Sequence, residues 1–157
     1  MATVMETLKM EAEFIGKNRS LLPGYQYKSI PELVLKEGMC FNPRKLPSNY
    51  FIGEQKECFR NASLLSIDKN LIYCEGYAFS KPIEGLNIFH AWCCDENKNV
   101  IDNTWKNSGT QYFGIAFDKE FLMGCLKKQK VYGLIDNWHD RFPLLKEFKR
   151  EYKHRFR

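Results

Sequence analysis

Between Leu71 and Phe117 the chain passes four times through short runs rich in β-branched and aromatic residues: LIYCEGYAF, NIFHAWCCD, NVIDNTW and QYFGIAF. Such runs favour strands, and the brief polar connections between them favour antiparallel neighbours. An antiparallel sheet, read as a meander, is therefore the constraint every other segment must satisfy. Around it the apolar spacing is helical. Val4, Leu8, Ala12 and Ile15 share one face, and Leu22-Pro23-Gly24 turns the chain after them. Ser29 and Glu32, with Pro31 between, form a helix-start signature for a short helix that reaches Lys36 before Gly38. Residues 39–57 carry Pro43, Pro47 and Gly53 without a period and read as an irregular crossing. A helix then opens at Cys58, with Cys58, Ala62 and Leu65 on one face. Asp118-Lys119-Glu120 starts another through Leu126, VYGLI offers one more strand, and Leu144, Phe148, Tyr152 and Phe156 recur every four residues in a terminal helix. The expected class is α+β, with helices packed on one face of the sheet.

The 157 residues, 44% of them hydrophobic, fit one domain spanning 1–157. Within it residues 55–117 form the candidate catalytic core and 144–157 a basic amphipathic helix. The opening residues lack a basic segment followed by an apolar run, and no stretch is long and apolar enough for a membrane span. Cytoplasmic localisation is the expectation. The six cysteines include no CxxC pair, so they read as thiols. The net charge is +5, and residues 144–157 hold six Lys/Arg against two Glu. A solvated helix face accounts for that excess, and contact with nucleic acid or another acidic partner is the lesser reading.

A thiol is activated when a helix N-terminus and a nearby base favour its thiolate. Cys58 stands at such a start. His90 is borne on the strand NIFHAW, and Asp102 on the next run, NVIDNTW, beyond the turn DENKN. If that turn is an odd loop centred on Glu96, Asp102 lies directly opposite His90; a four-residue loop puts it beside Ala91 instead. With the first register, Asp102 fixes the imidazole tautomer and leaves the other nitrogen for the thiol. Gln55, three residues before Cys58, and the Cys58 backbone N–H are candidate oxyanion donors. Asn61, Glu75, Trp92 and Trp105 are candidate pocket-lining residues, each equally explained by packing or solvation. Cys93 and Cys94 are adjacent on a strand and point to opposite faces, so no metal site is read there, and no cofactor is implied.

C-x-x-x-A at Cys58 to Ala62, Y-x-E-G-Y at Tyr73 to Tyr77, H-A-W at His90 to Trp92 and I-D-N-T-W at Ile101 to Trp105 together resemble the transglutaminase-like branch of the papain-like cysteine hydrolases. The resemblance spans about residues 55–105. It implies a Cys58, His90, Asp102 triad on that family's core sheet. Asn103 departs from it, since the family usually has Pro there.

These readings converge on a thiol-dependent hydrolase, a cysteine peptidase or amidase, taking a peptide or small amide as substrate. A transglutaminase or acyltransferase with an amine acceptor is one alternative. A catalytically silent binding module, contacting nucleic acid or acidic partners through the basic tail, is another.

Overall fold

The computed structural model describes all residues 1–157, and its helices begin where capping chemistry places them. Thr3 and Glu6 form a reciprocal capping box at the start of α1 (Val4–Asn18), Ser29 caps α2 (Ile30–Glu37), and Asp118 caps α4 (Lys119–Lys128). Each cap satisfies backbone N–H groups that the first helical turn leaves without partners. By contrast, α3 (Cys58–Lys69) follows Glu57 and has no capping side chain. No helix is long and apolar enough to cross a membrane.

Five antiparallel strands form one sheet: β1 (Met39–Phe41), β2 (Ile72–Phe79), β3 (Ile88–Cys94), β4 (Val100–Ile101) and β5 (Gln111–Ala116). Their spatial order is β1-β5-β2-β3-β4. Only β2, β3 and β4 follow one another as a meander. β5 crosses back to pair with the free side of β2, and Met39–Phe41, inside the segment expected to be irregular, pairs with β5. The sheet curls until its two ends meet. The Asn42 N–H donates to the Lys98 carbonyl, and the Val100 N–H to the Asn42 carbonyl, both at 2.9 Å.

Curling packs the two faces differently. One is covered by helices, and its core contains Leu8, Leu33, Val34, Leu65, Tyr77, Ile115, Phe117 and Leu122. The other closes on itself around Trp92, with Phe41, Cys74, Ala78, Val100 and Tyr112 against it. Gly76 and Gly114 are register partners on this concave side. A Cβ on Gly114 would lie 2.8 Å from the Trp92 ring, and one on Gly76 would lie 2.4 Å from the Gly114 Cα, so neither position has room for a side chain. His90 is the next residue in that row, paired with Gly76 across β2 and β3.

Two expected elements are replaced by strap-like segments. Residues 131–135 form no strand; their backbone N–H groups at Leu134 and Ile135 are held by the buried Glu75 carboxylate. The terminal helix is reduced to α5 (Pro143–Lys146), followed by extended chain and a single 3-10 turn, Arg150–Tyr152. The apolar positions find partners outside a helix: Tyr152 stacks on Phe121 with centroids 4.1 Å apart, and Phe148 packs on Phe117. Meanwhile the Asp118 N–H donates to the Tyr152 carbonyl and the His154 N–H to the Ala116 carbonyl, each at 2.9 Å. Backbone groups beyond β5 thus take up the tail as a strand-like partner, which outweighs its helical period.

Candidate active site

Cys58 is the first residue of α3, and the loop before it is sewn to the loop that carries Asp102. The Gly53 N–H donates to the Asn103 carbonyl and the Gln55 amide to the Thr104 carbonyl, both at 2.7 Å. The Asn61 amide donates to the Glu54 carbonyl at 2.7 Å and to the Thr104 hydroxyl at 2.9 Å. Even a methyl group on Gly53 would collide with the Asn61 side chain. These bonds fix the approach of α3, so the half-buried thiol is delivered against the carboxylate loop.

His90 arrives from β3 and is 2% exposed. β4 covers β3 only at Cys93 and Cys94, which leaves the His90 end of that strand free for α3. The His90 Nε2 lies 2.8 Å from the Asp102 Oδ2. The Trp105 indole stacks on the imidazole at a centroid distance of 3.8 Å and an interplanar angle of 13°, and Trp92 flanks it at 6.2 Å. The ring therefore has little freedom to turn. With Nε2 engaged by Asp102, Nδ1 is the nitrogen left over, and the nearby Cys58 is among the groups that raise the imidazole pKa.

Asp102 is completely buried and accepts four hydrogen bonds. Its Oδ2 takes the imidazole and the Tyr112 hydroxyl at 2.8 Å, and its Oδ1 takes the N–H groups of Thr104 at 3.0 Å and Trp105 at 3.4 Å. Backbone support for Asp102 comes from those two N–H groups, while Asn103 lends its carbonyl to Gly53. Tyr112 in turn accepts the Gly109 N–H at 2.7 Å, so its own proton is committed to Asp102.

Burial opposes charge on His90, but the Asp102 carboxylate and its hydrogen bond, with Cys58 behind them, raise its pKa to about 9. Burial likewise opposes charge on Asp102 and is outweighed by His90, the Thr104 N–H and Tyr112, leaving that carboxyl below its ordinary range. Burial first, then the Asp102 charge, drives the Tyr112 hydroxyl well up. The pair is thus an imidazolium held on a carboxylate, with Nδ1 left over.

The register between β3 and β4 differs from both alternatives drawn from the sequence. Cys93 pairs with Ile101 and Cys94 with Val100, which carries Asp102 to the level of Trp92. The hairpin loop is centred on Asn97, not Glu96. The Asp95 carboxylate accepts the N–H groups of Asn97 at 2.8 Å and Asn99 at 3.0 Å, and Lys98 takes the left-handed conformation that closes the turn. Asp102 lies past the end of β4 and reaches His90 along the diagonal, which side chains on one sheet face can span.

The remaining candidates divide. Trp105 is partly exposed and walls the imidazole, whereas Trp92 is fully buried and fills the concave core. Gln55 is exposed, and one amide hydrogen is spent on Thr104, leaving the other available to a ligand. No side chain caps α3, so the Cys58 N–H also lacks a capping partner. Asn61 is a buried tie between loops, bonded to the Glu54 carbonyl and the Thr104 hydroxyl. Glu75 is corrected most: it lies on the helix-covered face, away from His90, because alternation along β2 separates it from Gly76. Four donors meet its two oxygens, from Tyr73, Leu134, Ile135 and Asp136. Cys93 and Cys94 do face opposite sides, Cys93 donating to the Ala62 carbonyl at 3.1 Å.

Tyr112 and Thr104 belong to the site and were not found from the sequence. Tyr112 has the alternation of a concave-facing residue within QYFGIAF, but nothing local reveals that β5 crosses back to bring it to Asp102. Comparison with protein-family models, with curated proteins and with solved structures found no match to this chain.

Proposed function

We propose that this protein is a thiol-dependent hydrolase acting on an amide or similar carbonyl, with Cys58 as nucleophile, His90 as acid and base, and Asp102 and Tyr112 as positioning residues. One observation carries the reading: a buried imidazole bonded to Asp102 at 2.8 Å through Nε2, its Nδ1 left over and the helix-start Cys58 close enough to affect its pKa. An imidazolium beside a thiol favours the thiolate, and the uncapped helix start adds its own N–H groups. The thiolate attacks the carbonyl carbon, and its C=O electrons move onto oxygen, where the Cys58 N–H and the free hydrogen of Gln55 are the available donors. Collapse expels the amine, which takes its proton from His90 Nδ1, and leaves a thioester. Water, deprotonated by the now neutral imidazole, attacks the thioester and releases the acid and the thiol. The chain order of helix-borne Cys, strand-borne His and following Asp supports the finer assignment to a transglutaminase-like, papain-like core.

Alkylation of Cys58 tests the nucleophile. At pH 7 iodoacetamide should modify Cys58 faster than the more exposed Cys40, and Cys58→Ala should abolish turnover of any peptide or amide substrate found. Labelling of Cys58 no faster than of Cys40 would overturn the proposal.

A further inference from the structure

The loops that frame the thiol site continue directly into a second feature. From Ile52 backward and from Lys106 forward, the same two segments wall a cleft of about 730 Å³, within the size range of ligand-binding clefts. Arg44, Lys45, Lys81 and Lys106 line it, and no carboxylate does. None of the four is in an ion pair; their positive charges face one space uncompensated. Ser108 and Thr110 also line this cleft, although their hydroxyl oxygens are closed off from its surface and have no hydrogen-bond partner. Four cations around one cleft, with no carboxylate among its walls, match an anion with several acceptor oxygens.

The cleft adjoins the proposed nucleophile through Trp105. Gly109, on the cleft wall, approaches so closely that a Cβ there would lie 2.9 Å from the Trp105 ring, whose face stacks on His90. A chain lying in the cleft therefore passes within one indole of the imidazole. We infer that the substrate is a polypeptide whose acidic segment, rich in Asp or Glu, occupies this cleft while its scissile carbonyl reaches Cys58. The inference rests on the thiol-hydrolase reading, because amide chemistry is what favours a peptide over a phosphate-bearing strand as the occupant. It also moves the anion-recognition surface away from the C-terminal tail, where Lys149 and Lys153 are paired with Glu147 and Glu37.

Fluorescence anisotropy on the full chain carrying Cys58→Ala tests it, with three labelled probes: an octaglutamate peptide, a Gly-Ser octapeptide and an eight-nucleotide single-stranded DNA. Octaglutamate should bind at least about tenfold more tightly than the neutral peptide, more weakly at high salt, and more tightly than the DNA. The pair Lys81→Glu and Lys106→Glu should cut octaglutamate binding about tenfold or more, and Lys149→Glu with Arg150→Glu should leave it unchanged. Equal binding of the acidic and neutral peptides, tighter binding of DNA, or indifference to the cleft substitutions would each overturn the inference. Alkylation of Cys58 in the otherwise unaltered chain separates the two readings. Rapid alkylation without acidic preference removes the cleft proposal alone. Acidic preference with sluggish alkylation removes the thiol reading, and with it the assignment of the bound peptide as substrate.

Discussion

Asp102→Asn probes the pair on which the chemistry rests. All four partners of the Asp102 carboxylate donate, His90 and Tyr112 to one oxygen and the Thr104 and Trp105 N–H groups to the other. An amide in its place must present NH2 to one pair or the other. Keeping the oxygen on the backbone N–H groups turns the NH2 toward His90, which makes Nε2 an acceptor and moves the ring proton to Nδ1, the nitrogen proposed to serve Cys58. That tautomer cannot take the thiol proton. The lost carboxylate charge acts in the same direction, since burial lowers the imidazole pKa once its main support is gone. With a pKa of about 9, His90 is about 99% protonated at pH 7. An ordinary thiol is only about 3% thiolate at that pH, so pairing with an imidazolium raises the thiolate population by at most about thirtyfold. The lower nucleophilicity of a stabilised thiolate trims the rate advantage to about tenfold. In a background lacking Cys40 and Cys125, Asp102→Asn should therefore slow iodoacetamide labelling of Cys58 about tenfold at pH 7 and only about twofold at pH 9.5. Turnover, which also needs proton transfer from the correct nitrogen, should fall about a thousandfold or more. A thermal melt checks that the variant is folded at the assay temperature. Unchanged labelling at pH 7 in a folded variant would refute the ion-pair reasoning.

Three further outcomes follow from buried contacts. Tyr112→Phe strands the Gly109 N–H and takes one donor from Asp102, so chemical denaturation should show a loss of about 1–3 kcal/mol. Gly76→Ala places a Cβ 2.3 Å from the Phe113 carbonyl oxygen, between paired strands that cannot separate, and should prevent folding or lower the melting temperature sharply. Burial raises the Glu75 pKa to about 7 against the pull of its hydrogen bonds, so its contribution to stability is full below about pH 4.5 and is lost as pH rises through 7. The difference in unfolding free energy between the parent and Glu75→Gln should accordingly change by about 2–3 kcal/mol from pH 5 to pH 8; a pH-independent difference would contradict the assignment.

Local chemistry was legible and long-range pairing was not. Ser29, Pro31 and Glu32 mark α2, and Asp118 marks α4, because a cap is satisfied within four residues of the chain. The runs around Tyr73, His90 and Tyr112 read as strands for the same reason. The order of those strands depends on which free edge β5 meets after Trp105, and β5 lies beside β2 with no residue in QYFGIAF announcing it. The tail was misread through its period: Leu144 and Phe148 are buried as a helix would bury them, but Tyr152 and Lys153 pair with backbone beyond β5 instead. For the site, Cys58 and His90 could be placed on their elements from sequence, while the Asp102 contact survived a wrong register only because its diagonal reach and the Asn97-centred loop compensate.

The two fully buried carboxylates show why the pattern of residues on one strand could not assign function. Asp102 and Glu75 are both removed from water, and both accept hydrogen bonds from four groups. Their pKa values move in opposite directions. Backbone N–H groups and a tyrosine hydroxyl give Glu75 only dipoles, which do not offset the cost of burying its charge. Asp102 also faces a group that can become a full cation, and the two charges stabilise each other. A carboxylate ringed by fixed dipoles anchors a strap; one paired with an imidazole couples its charge to a proton that can move. Only the second arrangement suits the chemistry proposed for Cys58, because its proton sits on His90.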